Sequence, residues 1–248
     1  MAKLSIITGT GDRPDSFARF MRSAYKAQDV DTEIIVGQFG AEPFYALDYK
    51  PLCAVRSIDV AIERERAGMI HGYNAGFRRS TGEFVAWFND DCELTPGWDT
   101  AAIAFMEAHP EIGVGCIYFR DHLGKQWGTC WQIQSLYGIF YPNFGILRRE
   151  VGERLGWFSE DIGPMYGVDS DLGNKALDIG LGVVGIADSR VLHHRVRDDQ
   201  RLHNISDIHK YRELFDAKWK HKTEGLKFEQ AKYAYLSGPK TILIPSGE

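Results

Sequence analysis

The sequence predicts an α/β protein built on a mainly parallel central sheet flanked by helices. Over roughly the first hundred residues, apolar strand-like runs alternate with helix-spaced segments, and Gly, Asn or Asp closes each run. One run, Phe84-Val85-Ala86-Trp87-Phe88, is apolar at five successive positions. Such a run suits a strand covered on both faces, which is the situation of a sheet between two layers of helices.

The elements follow in order. Leu4 to Thr8 reads as a strand, and Gly9-Thr10-Gly11-Asp12-Arg13-Pro14 as the turn after it. Pro14 suits the first turn of a helix, in which Phe17, Phe20, Met21 and Tyr25 give one apolar face through Ala27. Glu33 to Gly37 is a second strand, Gln38 to Pro51 a loop, and Ala54 to Arg56 a short strand. A helix is expected from about Ala61 to Arg79, closed by Ser80-Thr81-Gly82. The five-residue apolar strand comes next, then a helix from about Pro96 to Ala108 and a strand at Ile112 to Phe119. Strands joined by helices imply parallel pairing with right-handed crossovers.

From Arg120 to Asn143 short aromatic strands with Gly breaks predict a small β-region at one edge of the sheet. Arg148 to Leu155 reads as a short helix, Gly167 to Ile179 as a longer one, and Val183 to Ala187 as a strand. The charged run from Arg195 to His203 reads as a loop over a site. Ser206 can cap a helix through Trp219, and no element is assigned after Lys222. Residues 1–200 are thus expected to form one sheet domain, with 201–248 a C-terminal helical extension packed on it.

Composition excludes several classes. The chain has 248 residues, 44% hydrophobic and 25% charged, ordinary for a globular protein. A net charge of −5 gives no global attraction to nucleic acid or anionic membrane, so any anionic ligand must be held by local groups. No stretch reads as a signal peptide or a membrane span, and a cytoplasmic protein is expected. Cys53, Cys92, Cys116 and Cys130 lack metal-ligand spacing and read as reduced thiols.

Three clusters carry potential chemistry. Asn89-Asp90-Asp91 ends the apolar strand at the sheet rim, where open α/β sheets bind ligands. Two neighbouring acids repel unless a cation or strong donor stands between them, so the pair reads equally as a Mg or Mn site and as a turn cap. Asp169 and Asp171 open a later helix; one can face a substrate while the other anchors a neighbouring basic group, or both simply favour the helix dipole. His193 and His194 follow an apolar strand and suit a metal or a phosphate, although histidines satisfied within the fold are commoner.

Taken together, the clusters resemble family 2 glycosyltransferases of the GT-A fold over Leu4 to His194. Gly72 to Phe84 is similar to the segment that precedes that family's Asp-x-Asp, and Asn89-Asp90-Asp91 stands in the place of the Asp-x-Asp itself. Gly156-Trp157-Phe158-Ser159-Glu160 resembles the family's turn before the base, and Val168-Asp169-Ser170-Asp171-Leu172 the segment carrying it.

The resemblance implies a Rossmann-like mixed sheet and a metal-dependent, inverting transfer of a sugar from a nucleoside diphosphate sugar to an acceptor hydroxyl. It implies Asp169 as base, and Mn or Mg held by Asp91 with His193 or His194. Thr8, Gly9, Thr10, Arg13, Gln38, Asn74, Asn89 and Asp90 would meet the donor nucleotide, with Arg195, Arg197 and Arg201 closing over the diphosphate. Trp131 and Asp171 stand as acceptor-side candidates, and Trp127, Tyr137, Phe140, Tyr141 and Phe144 suit either stacking or packing. The acceptor stays open among glycan, protein, lipid-linked and modified nucleic acid.

The sequence departs from the family at three points. Gly37-Gln38 replaces an acidic pair that reads the base, Asn89 replaces the first acid, and Val168 replaces an acid before the base. Asn89 and Val168 keep open a catalytically altered nucleotide-sugar or carbohydrate binding protein that has lost turnover. A nucleotidyltransferase on a similar scaffold is a further alternative, although the first turn lacks a Gly-x-Gly-x-x-Gly or Lys-Ser/Thr phosphate loop.

Overall fold

The computed structural model describes residues 2–38, 58–62, 69–123, 126–163, 166–196 and 208–244. Its elements are β1 (Leu4–Thr10), α1 (Pro14–Lys26), β2 (Thr32–Gln38), β3 (Ile58–Ile62), α2 (Met69–Arg79), β4 (Phe84–Asn89), β5 (Cys92–Leu94) and α3 (Trp98–Ala108). There follow β6 (Ile112–Leu123), β7 (Gln126–Trp127), β8 (Cys130–Gln132), β9 (Gln134–Leu136), β10 (Ile139–Tyr141), β11 (Gly145–Arg148), α4 (Arg149–Leu155) and α5 (Val168–Asp178). The chain continues through β12 (Gly182–His193), α6 (Ile208–Trp219), α7 (Thr223–Ala231) and β13 (Thr241–Leu243).

The main sheet runs in the order β13-β8-β6-β11-β4-β1-β2-β3, with β12 and β7 on β6 and β5 on β12. β4, β1, β2 and β3 are mutually parallel, and β6 and β12 are parallel to one another. β11 joins the two groups by antiparallel pairing to both β4 and β6. Strand alternation divides the core into two faces. Leu4, Ile6, Ile34, Val36, Phe84, Ala86 and Phe88 pack with α1 and α3, whereas Ile7, Ile35, Val85 and Trp87 pack with α2, α5 and residues of α6 and α7. All seven residues of β1 are buried, as the two-faced reading of the apolar strands requires. This layering delivers the C-terminal ends of β1 and β4 to one rim.

Several expectations shift. Ala61 and Ile62 belong to β3 and not to a helix, because Ile-Asp-Val-Ala-Ile alternates with period two and pairs in parallel with β2. The buried stripe of α1 is Phe17, Phe20, Met21 and Ala24, while Tyr25 falls beside it and is 45% exposed. β12 extends past Ala187 to His193, and a register shift between Ile186 and Arg190 accommodates Ala187-Asp188-Ser189. A polar bulge inside a long strand resembles a strand end when read from sequence. The C-terminal part is not helical alone, since β13 adds a strand antiparallel to β8. The expected strand at Ala54 to Arg56, the loop from Arg197 to His203 and the cap Ser206 lie outside the described residues.

Cys92 and Cys116 are buried free thiols, and Cys130 is free and half-buried. Among the described residues, no helix is long and apolar enough to cross a membrane.

Candidate active site

A cavity of about 360 Å³ opens at the C-terminal rim of the parallel strands. It is lined by Gly9 near the end of β1 and Arg13 beyond it, by Asn89 at the end of β4, and by Asp90 and Asp91 just after it. Asp169, Tyr141, Tyr166, Tyr211 and Arg212 also line it, as does His193 from the end of β12, which lies against Asp91.

The acids at the end of β4 are held differently. Asp90 is buried; Thr10 donates its hydroxyl hydrogen to Asp90 Oδ2 at 2.9 Å, and Arg13 Nη1 lies 3.4 Å from Oδ1. Burial drives the Asp90 pKa up to about 7, against the pull of Arg13, while neighbouring Asp91 adds to the rise. Asp91 Oδ2 accepts the Val196 N–H at 3.1 Å, and the Asp91 carbonyl accepts the His194 N–H at 2.8 Å. Tyr73, fully buried, donates to the Phe88 carbonyl at 2.7 Å and reaches Asn89 Oδ1 at 3.2 Å, fixing Asn89 at the cavity wall.

His193 and His194 diverge. His193 is buried, with Nδ1 2.7 Å from Asp121 Oδ1 and Nε2 3.3 Å from Asp91 Oδ1. Burial opposes its protonation, but the two carboxylates on either side raise its pKa. His194 instead places Nε2 3.0 Å from Glu93 and packs its ring against Trp127. Burial lowers the His194 pKa against the opposing pull of Glu93.

Asp169 and Asp171 also part company. Gly167 holds a left-handed φ of 88° at the start of α5, a conformation that favours glycine, and the helix begins directly behind it. Asp169 reaches the cavity, and burial raises its pKa to about 7. Asp171 is fully buried and accepts from Trp219 Nε1 at 2.7 Å, Lys218 Nζ at 2.8 Å and the Ser159 hydroxyl at 2.5 Å. Burial alone would raise its pKa, but these donors hold it below the usual carboxylate value.

The remaining expected residues scatter. Asn74 donates from Nδ2 to the Phe158 carbonyl and to Glu160 Oε1, both at 2.9 Å, and accepts the Phe158 N–H at 3.2 Å. It ties α2 to the turn after α4 and is not among the residues that line the cavity. Thr8 and Thr10 are buried behind that wall. Trp131 lies under Arg190, its ring centroid 5.7 Å from the guanidinium carbon, and is not among the residues that line the cavity. Arg195 Nη1 binds Asp121 Oδ2 at 3.2 Å. The side chain of Gln38 and all of Arg197 and Arg201 lie outside the described residues. Among the aromatic residues singled out at the β-region, Tyr141 lines the cavity.

Sequence reading missed Asp121, Tyr73, Tyr166, Tyr211 and Arg212. For Asp121 the one signal was its position at the polar end of a long apolar strand. Its neighbour becomes visible only through the parallel β6/β12 register, which pairs Asp121 with His193.

The donor chemistry fits a hard divalent cation. His193 Nε2 is a buried nitrogen that makes no hydrogen bond among the described residues, and it faces a carboxylate oxygen. Among those residues no three His, Cys, Asp or Glu side chains converge as a ligand set. Two protein donors with substrate oxygens completing the shell is how Mg-type ions are commonly bound.

The fold is that of the GT-A glycosyltransferases. Residues 51–162 match the model of the family described as glycosyl transferase family 2. The TarS 1-349 fragment of S. aureus in complex with UDP-GlcNAc superposes with a TM-score of 0.69 at 16% identity, over 95% of this chain and 73% of that one. The mannosyltransferase PcManGT from Pyrobaculum calidifontis, in complex with GDP-Man and Mn2+, gives 0.68 at 16% identity, over 95% and 71%. GalNAc-T7 with UDP, GalNAc and Mn2+ gives 0.64 at 15% identity, over 94% and 55%. No curated protein sequence matches the chain.

Proposed function

We propose that the protein is a metal-dependent, inverting glycosyltransferase that moves a sugar from a nucleoside diphosphate sugar to an acceptor hydroxyl. The observation that carries this reading is that Asp169 faces the same cavity as Asp91 and His193, although the three come from different elements. The same cavity thus carries groups suited to a cation and a carboxylate that would serve as base.

Asp91 and His193 would hold Mn2+ or Mg2+. When bound, such a cation neutralises charge on a leaving diphosphate. Asn89, fixed by Tyr73, would offer a polar contact to the nucleotide, and Arg13 would answer phosphate charge near Asp90. Asp169 would take the acceptor proton as the acceptor oxygen bonds to the anomeric carbon and the bond to the diphosphate oxygen breaks. A single displacement of this kind inverts the anomeric centre and needs no covalent intermediate. Tyr141, Tyr166 and Tyr211 would frame the acceptor beside Asp169. The free buried thiols Cys92 and Cys116 suit a reducing compartment such as the cytoplasm.

Calorimetric titration with UDP-, GDP- and TDP-sugars, with and without Mn2+, tests the donor side. Binding of one nucleotide sugar, strengthened by Mn2+ and lost in that dependence in Asp91→Ala, is expected. Absence of nucleotide binding under every condition would overturn the reading. The anomeric configuration of the product, read by NMR, tests inversion.

A further inference from the structure

We propose that Asp121 is a positioning residue for the cation site: it holds His193 as the Nδ1–H tautomer, so that the Nε2 lone pair stands opposite Asp91. This rests on the metal-dependent reading above and adds to it a residue outside the cavity wall.

The strands bring the two side chains together. β6 and β12 are parallel neighbours, and their register sets Asp121 directly beside His193. Asp121 Oδ1 is 2.7 Å from His193 Nδ1, and Asp121 is 7% exposed. A carboxylate can only accept, so the short contact puts the imidazole proton on Nδ1. The other ring nitrogen is then the basic one, and His193 Nε2 makes no hydrogen bond while lying 3.3 Å from Asp91 Oδ1.

Asp121 is itself fixed. Its second oxygen, Oδ2, accepts from Gln132 Nε2 at 3.2 Å and from Arg195 Nη1 at 3.2 Å. Phe119 and Phe144 stand edge-on to the His193 ring, with centroids 5.8 and 5.2 Å away, and limit its rotation. A buried carboxylate on the far nitrogen of a metal-binding histidine sets ring orientation and raises ligand basicity. Asp121 thus has the geometry of an orienting partner.

The chain after β12 is drawn into the same arrangement. Arg195 binds Asp121, and Val196 N–H binds Asp91 Oδ2. The two carboxylates that flank His193 therefore also fix the segment that leaves the site.

Free Mn2+ measured by electron paramagnetic resonance, with Mn2+ alone and with Mn2+ plus UDP or GDP, tests the proposal in the full chain. Asp121→Asn and Asp121→Ala are expected to weaken Mn2+ binding by about 10- to 100-fold. Glu33→Gln removes another buried charge, held by Ser5 and Thr81 at the opposite end of the parallel strands, and should leave Mn2+ affinity unchanged. Long-range 1H–15N NMR of the histidines gives a second readout independent of loading. Measured at alkaline pH, above the raised pKa of His193, the wild type should show the Nδ1–H pattern, and Asp121→Ala should lose it.

An Nε2–H tautomer in the wild type, or Asp121 variants within twofold of wild-type Mn2+ affinity, would overturn the proposal. So would a wild type that binds no Mn2+ in any of the three arms. In that last case, metal-free transfer from a nucleotide sugar would leave the glycosyltransferase reading standing, whereas absence of nucleotide binding would remove both.

Discussion

Trp219 donates its indole N–H to Asp171 Oδ1 at 2.7 Å, tying α6 to the first turn of α5. The bond separates two acids that the sequence placed on one site: Asp171 anchors a helix, while Asp169 faces the cavity. Removing Asp171 would leave Lys218 and Trp219 Nε1 without their carboxylate. Asp171→Ala is therefore expected to cost about 3–5 kcal/mol. Trp219→Phe should cost about 1 kcal/mol through the lost hydrogen bond alone. Because the folded pKa of Asp171 lies below the ordinary value of 3.8, its contribution is present above that pH and lost as pH falls through the folded pKa. Urea midpoints at pH 7 and pH 3 measure this; a variant gap that does not shrink on acidification would contradict it.

Asp169 behaves in the opposite sense. Its folded pKa of about 7 lies above the ordinary 3.8, so its stability contribution is complete below 3.8 and vanishes as pH rises through 7. Asp169→Asn should therefore melt higher than wild type at pH 8, by on the order of 1 kcal/mol or about 2–4 °C, and equally at pH 3.5. The same substitution should lower transfer by about 10²–10⁴-fold with donor binding retained. In the wild type the rate should rise on the acid limb near pH 7, and full transfer by Asp169→Asn would reject the base assignment.

Asn74 lies in the segment similar to a nucleotide-sugar enzyme motif, yet it clasps Phe158 and Glu160. Asn74→Ala leaves the buried Phe158 N–H and carbonyl unsatisfied and should destabilise by about 1–3 kcal/mol. Nucleotide affinity, measured by calorimetry on the folded variant, should be unchanged. A selective loss of nucleotide affinity with no change in melting would move Asn74 into the donor site.

Gly82 closes the turn before β4, with its N–H 2.8 Å from Ser5 Oγ. A Cβ there would come within 2.5 Å of the Ser5 backbone nitrogen, which cannot move without shifting β1. Gly82→Ala should lower stability by about 1–3 kcal/mol, seen as a lower urea midpoint at constant slope. An unchanged midpoint would mean that β1 yields at this point.

Much of the fold was legible because burial on two faces leaves a strong mark. The apolar runs of β1 and β4 and the stripe of α1 are properties of local pattern. Helix spacing past Ala61 was misleading, since a short alternating segment takes its state from the strand beside it. The same limit applied at the site. Asp91, Asp169 and the His193-His194 pair were singled out from residue type, order and resemblance, but the surroundings of His194, Asp171, Asn74 and Trp131 depended on neighbours distant in sequence.

By itself the sequence determined the layered α/β class, the acids at the end of β4 and the order of the clusters that face the cavity, because these follow from periodicity and side-chain chemistry. The tertiary structure decided that His193 and Asp169, and not His194 and Asp171, line the cavity. It turned His193 toward Asp91 and His194 toward Glu93, and it set Asp121 behind His193. Strand register and helix docking fix those choices, and both arise from contacts between segments tens of residues apart.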